Sequence, residues 1–317
     1  MEDSYYYIEE LMAGDQMQGH YLLKNLEQRT DRNGCPYYSG LLADRTGEIP
    51  FKIFNTNSIL NLDALEPGCF VYASYEVNSW QDSLIANISL LRPVKPNEKI
   101  DIAEILPMAP ISSDKMFAKL MAMTADMKNQ ELKTVCQILL NEHKSQLMTI
   151  PGGKSMHHNV LGGLLYHMLR MAQSGLALTA IYPEINPDLI AAGAIVHDIG
   201  KLQEYQTEPS GMIRDFTAAG DLLSHNILGI LMLEKACKKA NASQSTFLAL
   251  SHMIESHHGA PERGSAIQPM FLEADLLHHL DMIDSRIWIF NREQSKLEPG
   301  EVSRPIKALD GSVYRPF

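Results

Sequence analysis

The chain has 317 residues, which is enough for about two domains of roughly 150 residues each. With 45% hydrophobic and 21% charged residues, its composition excludes a disordered or collagen-like protein. The formal charge of −11 argues against a protein that mainly binds the phosphates of long duplex DNA. Length and composition therefore predict a globular protein of two domains.

The N-terminal residues and the cysteines indicate where such a protein works. The N-terminus is acidic and lacks the basic region of a signal peptide. The longest apolar runs, such as Leu189–Val196, reach about eight residues, whereas a membrane span needs about 20. The four cysteines show no CxxC spacing, so we expect reduced thiols. These features predict a cytoplasmic protein with no membrane partner.

Residues 15 to about 95 have the pattern of β-structure. The segment 69–77 places four side chains on one face at the strand period of two: Val71, Ala73, Tyr75 and Val77. Turn signals separate this segment from its neighbours, at 31–34, 44–47 and 66–68. Several short strands at this spacing predict a small, OB-like β-barrel. Prolines at 93, 96, 107 and 110 mark a linker, so we place this domain at residues 1–110.

From Ser112 onward the pattern is helical. Apolar residues at 132, 135, 136, 139 and 140 form a helical stripe, and Pro151-Gly152-Gly153 ends that segment. Further helices are predicted at about 158–180, 187–200, 221–240, 244–258 and 269–290. The predicted fold is therefore multidomain, an all-β barrel followed by an all-α helical bundle at residues 111–317.

Histidines are concentrated in this helical part. Of 12 histidines, 10 lie between His157 and His279, and six of them form three adjacent pairs. Together with nearby aspartates they give a candidate metal-ligand set: His167, His197, Asp198, His225, the pair His257 and His258, and Asp281. Imidazoles and carboxylates suit Mn, Fe, Co, Ni or Zn, and the lack of a thiolate excludes a zinc finger.

The dipeptide His197-Asp198 follows the apolar helix Leu189–Val196 directly. A histidine and an aspartate at a helix end can both turn toward one point. Lys201, three residues later, can supply a positive charge for a phosphate there. The turn therefore contains two catalytic candidates, Asp198 and Lys201.

The motifs resemble a known family. The order H…HD…D, with HDIGK around the dyad, is the signature of the HD superfamily of metal-dependent phosphohydrolases. Three longer segments look like those of the YhaM-type 3′→5′ exoribonucleases: residues 157–167, 256–265 and 273–281. That family joins an N-terminal OB-fold to a C-terminal HD domain in about this length. The resemblance implies hydrolysis of single-stranded RNA from the 3′ end, with single-stranded DNA as an alternative substrate.

The resemblance also implies roles for single residues. His167, His197, Asp198 and Asp281 correspond to the core metal ligands, and His225 and His257 fall where ligands of a second ion would lie. We therefore expect two divalent ions per chain, with Mn²⁺ as the first choice and Fe, Co, Ni, Zn or Mg as alternatives. Asp198 is the natural bridging carboxylate.

Several assignments remain open from sequence. His225 lies among apolar residues and could be a core histidine. The fourth imidazole could come from His252, His257 or His258. His157 and His158 could bind substrate phosphate, support the ligands or cap a helix, and His278 and His279 allow only supporting roles.

The barrel and the substrate also leave alternatives. OB-folds bind single strands through aromatic platforms and a basic groove. Aromatic candidates are available at 37, 38, 51, 54, 72 and 75, yet residues 1–110 hold 8 Lys and Arg against 16 Asp and Glu. The barrel could therefore serve RNA binding or the assembly of a homo-oligomer. The alternatives for the whole protein are a hydrolase of small nucleotides and a non-catalytic metal-binding scaffold.

Overall fold

Residues 6–81, 83–154, 158–260 and 264–317 are described by a computed structural model of the protein. The chain divides into two units. One contains the residues up to Met108 together with Thr207–Met212, and the other contains Ala109–Gln206 and Ile213–Phe317. Among the described helices, none combines the length and the apolar character needed to cross a membrane.

The N-terminal unit is built on a closed barrel with the strand order β1-β2-β3-β5-β4. Its strands are β1 (Gln16–Thr30), β2 (Pro36–Ala43), β3 (Glu48–Ile53), β4 (Phe70–Trp80) and β5 (Ser83–Pro93). All neighbouring pairs are antiparallel except β3 and β5, which are parallel. The prediction of an OB-like barrel is confirmed.

The period-two pattern of β4 identifies the barrel core correctly. Val71, Ala73, Tyr75 and Val77 are all buried, and the Tyr75 hydroxyl donates a hydrogen bond of 3.0 Å to the Tyr21 hydroxyl inside the barrel. Because Tyr75 and the equally buried aromatic side chain at position 51 fill this core, neither can stack on a nucleic-acid base. These two aromatic candidates were wrong as surface platforms.

The second unit is mainly helical. In the described part of the chain, ten α-helices follow the barrel: α1 (Ile102–Ile105), α2 (Ser113–Asp126), α3 (Gln130–Glu142), α4 (Lys144–Leu147), α5 (Gly163–Thr179), α6 (Pro187–Val196), α7 (Lys201–Glu204), α8 (Ala218–Ala240), α9 (Gln244–Ser256) and α10 (Leu272–Gln294). The first belongs to the N-terminal unit. Two short strands, β6 (Tyr205–Thr207) and β7 (Ile213–Phe216), pair with each other and were not predicted.

Helix α6 is the centre of the helical core. Every residue from Ile190 to Val196 is buried, because α6 contacts α3, α5, α9 and α10 on different sides. Its start is fixed by Asn186, whose side chain accepts hydrogen bonds from the backbone of Asp188 and Leu189, and by Pro187 in the first turn. Because α6 is surrounded by other helices, His197, the residue that directly follows it, also lies in the interior.

Candidate metal centre

The turn after α6 brings His197 and Asp198 close to α8. Gly200 makes this possible, since a Cβ at that position would lie 1.9 Å from the backbone oxygen of His225 and 2.6 Å from the backbone nitrogen of Gly229. Only glycine allows the two backbones to approach so closely. The glycine of the HDIGK segment therefore positions α8, and with it His225, against the dyad.

Four side chains from two helices and the turn after α6 meet around one point. His167 of α5 places Nε2 at 3.2 Å from His197 Nε2 and at 3.3 Å from Asp281 Oδ1 of α10. Asp198 Oδ2 lies 3.7 Å from His167 Nε2 and 3.4 Å from His197 Nε2. All four residues predicted as core ligands are thus brought together.

The other carboxylate oxygen of Asp198 faces a second group. Its Oδ1 lies 3.6 Å from His225 Nε2 and 3.8 Å from His257 Nε2. His225, His257 and His258 each offer a ring nitrogen within 4.8 Å of the others. Asp198 therefore stands between two groups of donors, and both His257 and His258 of the adjacent pair lie at the second one.

The imidazoles are oriented by their other nitrogen. In each case Nδ1 is held by an oxygen: Asp284 for His167, the Ala194 carbonyl for His197, Glu204 for His225 and the Ile254 carbonyl for His257. Because these oxygens accept, Nδ1 carries a proton and Nε2 is the ring atom turned toward the centre. Histidines that bind metals have this arrangement in most proteins.

A kink in α8 presents His225. Ser224 has φ 58° and ψ 165°, an uncommon conformation for a serine, which interrupts the helix directly before His225. The backbone N–H of His225 donates to Glu204 Oε1 at 2.8 Å, and the ring Nδ1 reaches the same oxygen at 3.0 Å. Glu204 therefore both stabilises the kink and orients the ring.

Asp284 is a site residue that sequence reasoning missed. Its Oδ2 lies 2.8 Å from His167 Nδ1 and 2.6 Å from His158 Nε2, while Oδ1 pairs with Arg170. His158 is buried and packs against Trp288, with ring centroids 4.4 Å apart. Asp284 follows Asp281 by one helical turn on α10, and this spacing was the signal that could have found it.

Burial and neighbouring charges set the protonation states. Burial raises the pKa of Asp281, but the hydrogen bond and charge of His167 outweigh this and hold that pKa well below its usual range. Burial lowers the pKa of His257, and it lowers that of His258 to about 4. The carboxylate is thus charged and these two imidazoles are neutral, which are the forms that bind metal ions.

The pKa of His167 shifts in the opposite direction to those of His257 and His258. Burial lowers its pKa, but hydrogen bonds to Asp281 and Asp284 overcome this effect and raise it to about 9. A divalent ion would therefore displace a proton from His167 when it binds. The affinity of the site for the ion therefore includes the free energy needed to remove that proton.

Two buried atoms indicate that the residues of this site suit a metal ion. Among the described residues, Asp198 Oδ1 and His225 Nε2 have no hydrogen-bond partner, although neither atom is exposed to solvent. Their separation of 3.6 Å is too long for a hydrogen bond between them. Buried polar atoms without partners are costly, so a cation held between them fits this donor set.

The remaining candidates lie elsewhere or act indirectly. Lys201 donates to Asp198 Oδ2 at 2.7 Å and to the Gly152 carbonyl at 2.9 Å, so its ammonium group orients the carboxylate. His252 is not brought to the centre, because its Nε2 accepts a hydrogen bond from the backbone of Met270. His157 lies outside the described residues.

Asp284→Asn is expected to weaken metal binding by about 10- to 100-fold, the usual effect of changing a group that orients a ligand histidine. An amide cannot accept from His167, His158 and Arg170 as a carboxylate does. The measurement is titration of the metal-free protein with Mn²⁺. Asp275→Asn on the same helix is the matched control. Asp275 is exposed, and its one ion pair within the described residues is with His279. Equal affinity in the two variants would contradict the orienting role of Asp284.

The site lies in a segment that matches a protein-family model. The family model described as HD domain matches residues 164–286, a range that contains all six predicted ligands. Among solved structures, the second OB-fold domain of replication protein A from Methanococcus maripaludis is 18% identical over 30% of this chain and 98% of that chain, with a TM-score of 0.23.

Relatives similar over almost the full length carry one name. The 3′-5′ exoribonuclease YhaM of Oceanobacillus iheyensis is 31% identical over 308 residues, which are 96% of this chain and 95% of that protein. The protein of the same name from Bacillus subtilis strain 168 is 29% identical over 305 residues, which are 96% of each chain. The chain therefore belongs to the YhaM family of 3′-5′ exoribonucleases.

Proposed function

We propose that this protein is a metal-dependent 3′→5′ exoribonuclease that hydrolyses phosphodiester bonds of single-stranded RNA with two divalent ions, preferably Mn²⁺. The observation that carries the proposal is the position of Asp198, whose two oxygens face two separate groups of donors. A shared carboxylate is the usual bridge of a two-metal hydrolase. The names of the relatives support the polarity and the RNA substrate.

In this proposal each ion has its own donors. His167, His197 and Asp281 would hold one ion, His225, His257 and His258 would hold the other, and Asp198 would contribute to both. When bound, the ions polarise the phosphodiester and lower the pKa of an attacking water. Lys201 keeps Asp198 in place. The side chains of His225 and Asp281 remain 13% and 15% exposed.

The barrel offers a surface for single-stranded RNA. The rings of Tyr37 and Phe54 stack with centroids 5.6 Å apart, and Phe54 and Trp80 are each 62% exposed. The ammonium group of Lys52 lies over the Trp80 ring at 5.3 Å. Phe54, Trp80 and Lys52 line a cavity of about 200 Å³. Exposed rings beside a cation are the elements that bind bases and phosphates of single strands.

A 5′-labelled single-stranded RNA is expected to shorten progressively in the presence of Mn²⁺, while a blunt RNA duplex resists. The reason is that a surface on which bases stack accepts only unpaired bases. The measurement is a denaturing-gel time course beside assays of duplex RNA, single-stranded DNA and a set of nucleotides. Hydrolysis of the nucleotides with intact RNA would favour a small-molecule phosphohydrolase instead.

The double variant Phe54→Ala, Trp80→Ala is expected to weaken binding of a long single-stranded RNA, since each lost stack costs about 1–3 kcal/mol. Hydrolysis of methyl p-nitrophenyl phosphate should stay at the wild-type rate, because every proposed ligand lies in the helical unit. The measurements are fluorescence anisotropy with the RNA and a colorimetric rate.

Tyr6→Ala is the control for this variant, since Tyr6 is also exposed but precedes the barrel strands. Unchanged RNA affinity together with a changed mass in mass photometry would assign the barrel to the assembly of a homo-oligomer.

A further inference from the structure

An aromatic pair lies beside the proposed metal centre and has no role in the site described above. Tyr205 begins β6 and Phe216 ends β7, and their ring centroids are 5.3 Å apart. Tyr205 is half-buried, whereas the ring of Phe216 remains partly exposed. The ammonium group of Lys154 lies 5.7 Å from the Phe216 ring centroid. The Phe216 ring thus packs against the Tyr205 ring and lies close to the Lys154 ammonium group.

The backbone fixes this pair against residues of the metal centre. Tyr205 directly follows Glu204, whose side chain orients His225. On the other strand, the backbone N–H of Thr217, the residue after Phe216, donates to the Glu204 carbonyl at 2.8 Å. The backbone near both rings is therefore fixed to Glu204, the residue that orients the proposed ligand His225.

Lys154 is connected to the same metal centre through a second segment of the backbone. It lies two residues after Gly152, whose carbonyl accepts a hydrogen bond from Lys201, the residue that binds Asp198. The Lys154 side chain pairs with Asp215 at 3.0 Å, and both side chains are largely exposed. Exposed ion pairs contribute little to stability, so Lys154 can leave Asp215 for a phosphate at small cost.

We infer that Phe216, supported by Tyr205, stacks on the 3′-terminal base of single-stranded RNA and that Lys154 binds a phosphate of the same 3′ end. The inference rests on the proposed function, because it places the RNA end next to the reacting bond. Stacking tolerates every base, since each base has a π-face. Phe216 is therefore expected to give affinity for the 3′ end without sequence preference.

The test removes the base from the RNA and the ring from the protein. Phe216→Ala is expected to raise KM by about 5- to 150-fold on an RNA with an ordinary 3′ end, the range found for loss of one stack. The value of kcat should change little, because the stack is made equally before and during the reaction. On an RNA whose 3′-terminal residue is abasic, wild type and Phe216→Ala should have equal KM.

Two further variants separate stacking from folding. Phe216→Tyr keeps an aromatic face and should restore the wild-type KM. Tyr182→Ala removes an exposed ring in the loop between α5 and α6 of the same unit and should leave both kinetic constants unchanged. If Phe216→Ala raised KM equally on the abasic and the ordinary RNA, the ring would have a structural role and the inference would be wrong.

Lys154→Ala tests the phosphate contact. Each phosphate neutralised in single-stranded nucleic acid contributes about −0.7 to the slope of log affinity against log salt. The slope for Lys154→Ala should therefore be smaller in magnitude by about 0.7 than that of wild type. An unchanged slope would remove Lys154 from the inferred site.

Failure of this inference can be told apart from failure of the proposed function. The affinity of metal-free protein for both RNAs is measured by anisotropy in EDTA, so it needs no turnover. If wild type hydrolysed nucleotides but left RNA intact, the proposed function would fail. The difference in affinity between ordinary and abasic ends, in wild type and in Phe216→Ala, would still decide whether the ring binds a terminal base.

Discussion

Asp198→Ala is expected to lose both ions and to lower the single-turnover rate on RNA by about 10³-fold or more, equivalent to about 4 kcal/mol of transition-state stabilisation. The reason is that Asp198 faces both donor groups, through Oδ2 on one side and Oδ1 on the other. The measurement is metal content per chain by elemental analysis, beside the rate.

Removal of Asp198 also leaves Lys201 buried without its carboxylate partner, which typically costs about 3–5 kcal/mol of folding stability. Asp198→Asn is therefore made in parallel, because it keeps the shape and one oxygen that can accept from Lys201. It should fold like wild type by circular dichroism and still lose the bridge. Two ions retained in a folded Asp198→Asn protein would be incompatible with a bridging role.

His225→Ala is expected to keep one ion and to lose the other, with a rate lowered by about 10²- to 10³-fold. His225 belongs only to the second donor group, and its Nε2 is among the buried atoms without a hydrogen-bond partner in the described part of the chain. The first donor group, which contains His167, does not include His225. Elemental analysis and single-turnover kinetics on the same preparations give both numbers.

His252→Ala is the matched control for His225→Ala, because it removes the same type of side chain from the same unit. Its ring contacts Phe271 and the backbone of Met270 rather than the centre. It should keep two ions and the wild-type rate. One ion in the wild type, unchanged in His225→Ala, would exclude the two-metal proposal and assign His225 to the core or to phosphate contact.

Local patterns determined the elements and the first candidate ligands. The alternation in β4 identified the buried face of the barrel because side chains in a strand alternate by geometry, whatever the rest of the chain does. His197 and Asp198 were recognisable because they follow an apolar helix that must be buried on all sides. Such features depend on neighbours in sequence and can be predicted from them.

Only the tertiary structure decided which distant residues meet. The choice among His252, His257 and His258 depended on the direction in which α9 ends, and the role of Asp284 depended on the packing of α10 against α5. The conformation of Ser224, which presents His225, contradicts its helical surroundings and is stabilised by Glu204 from another helix. Contacts of this kind come from long-range packing, which the local pattern of a sequence does not encode.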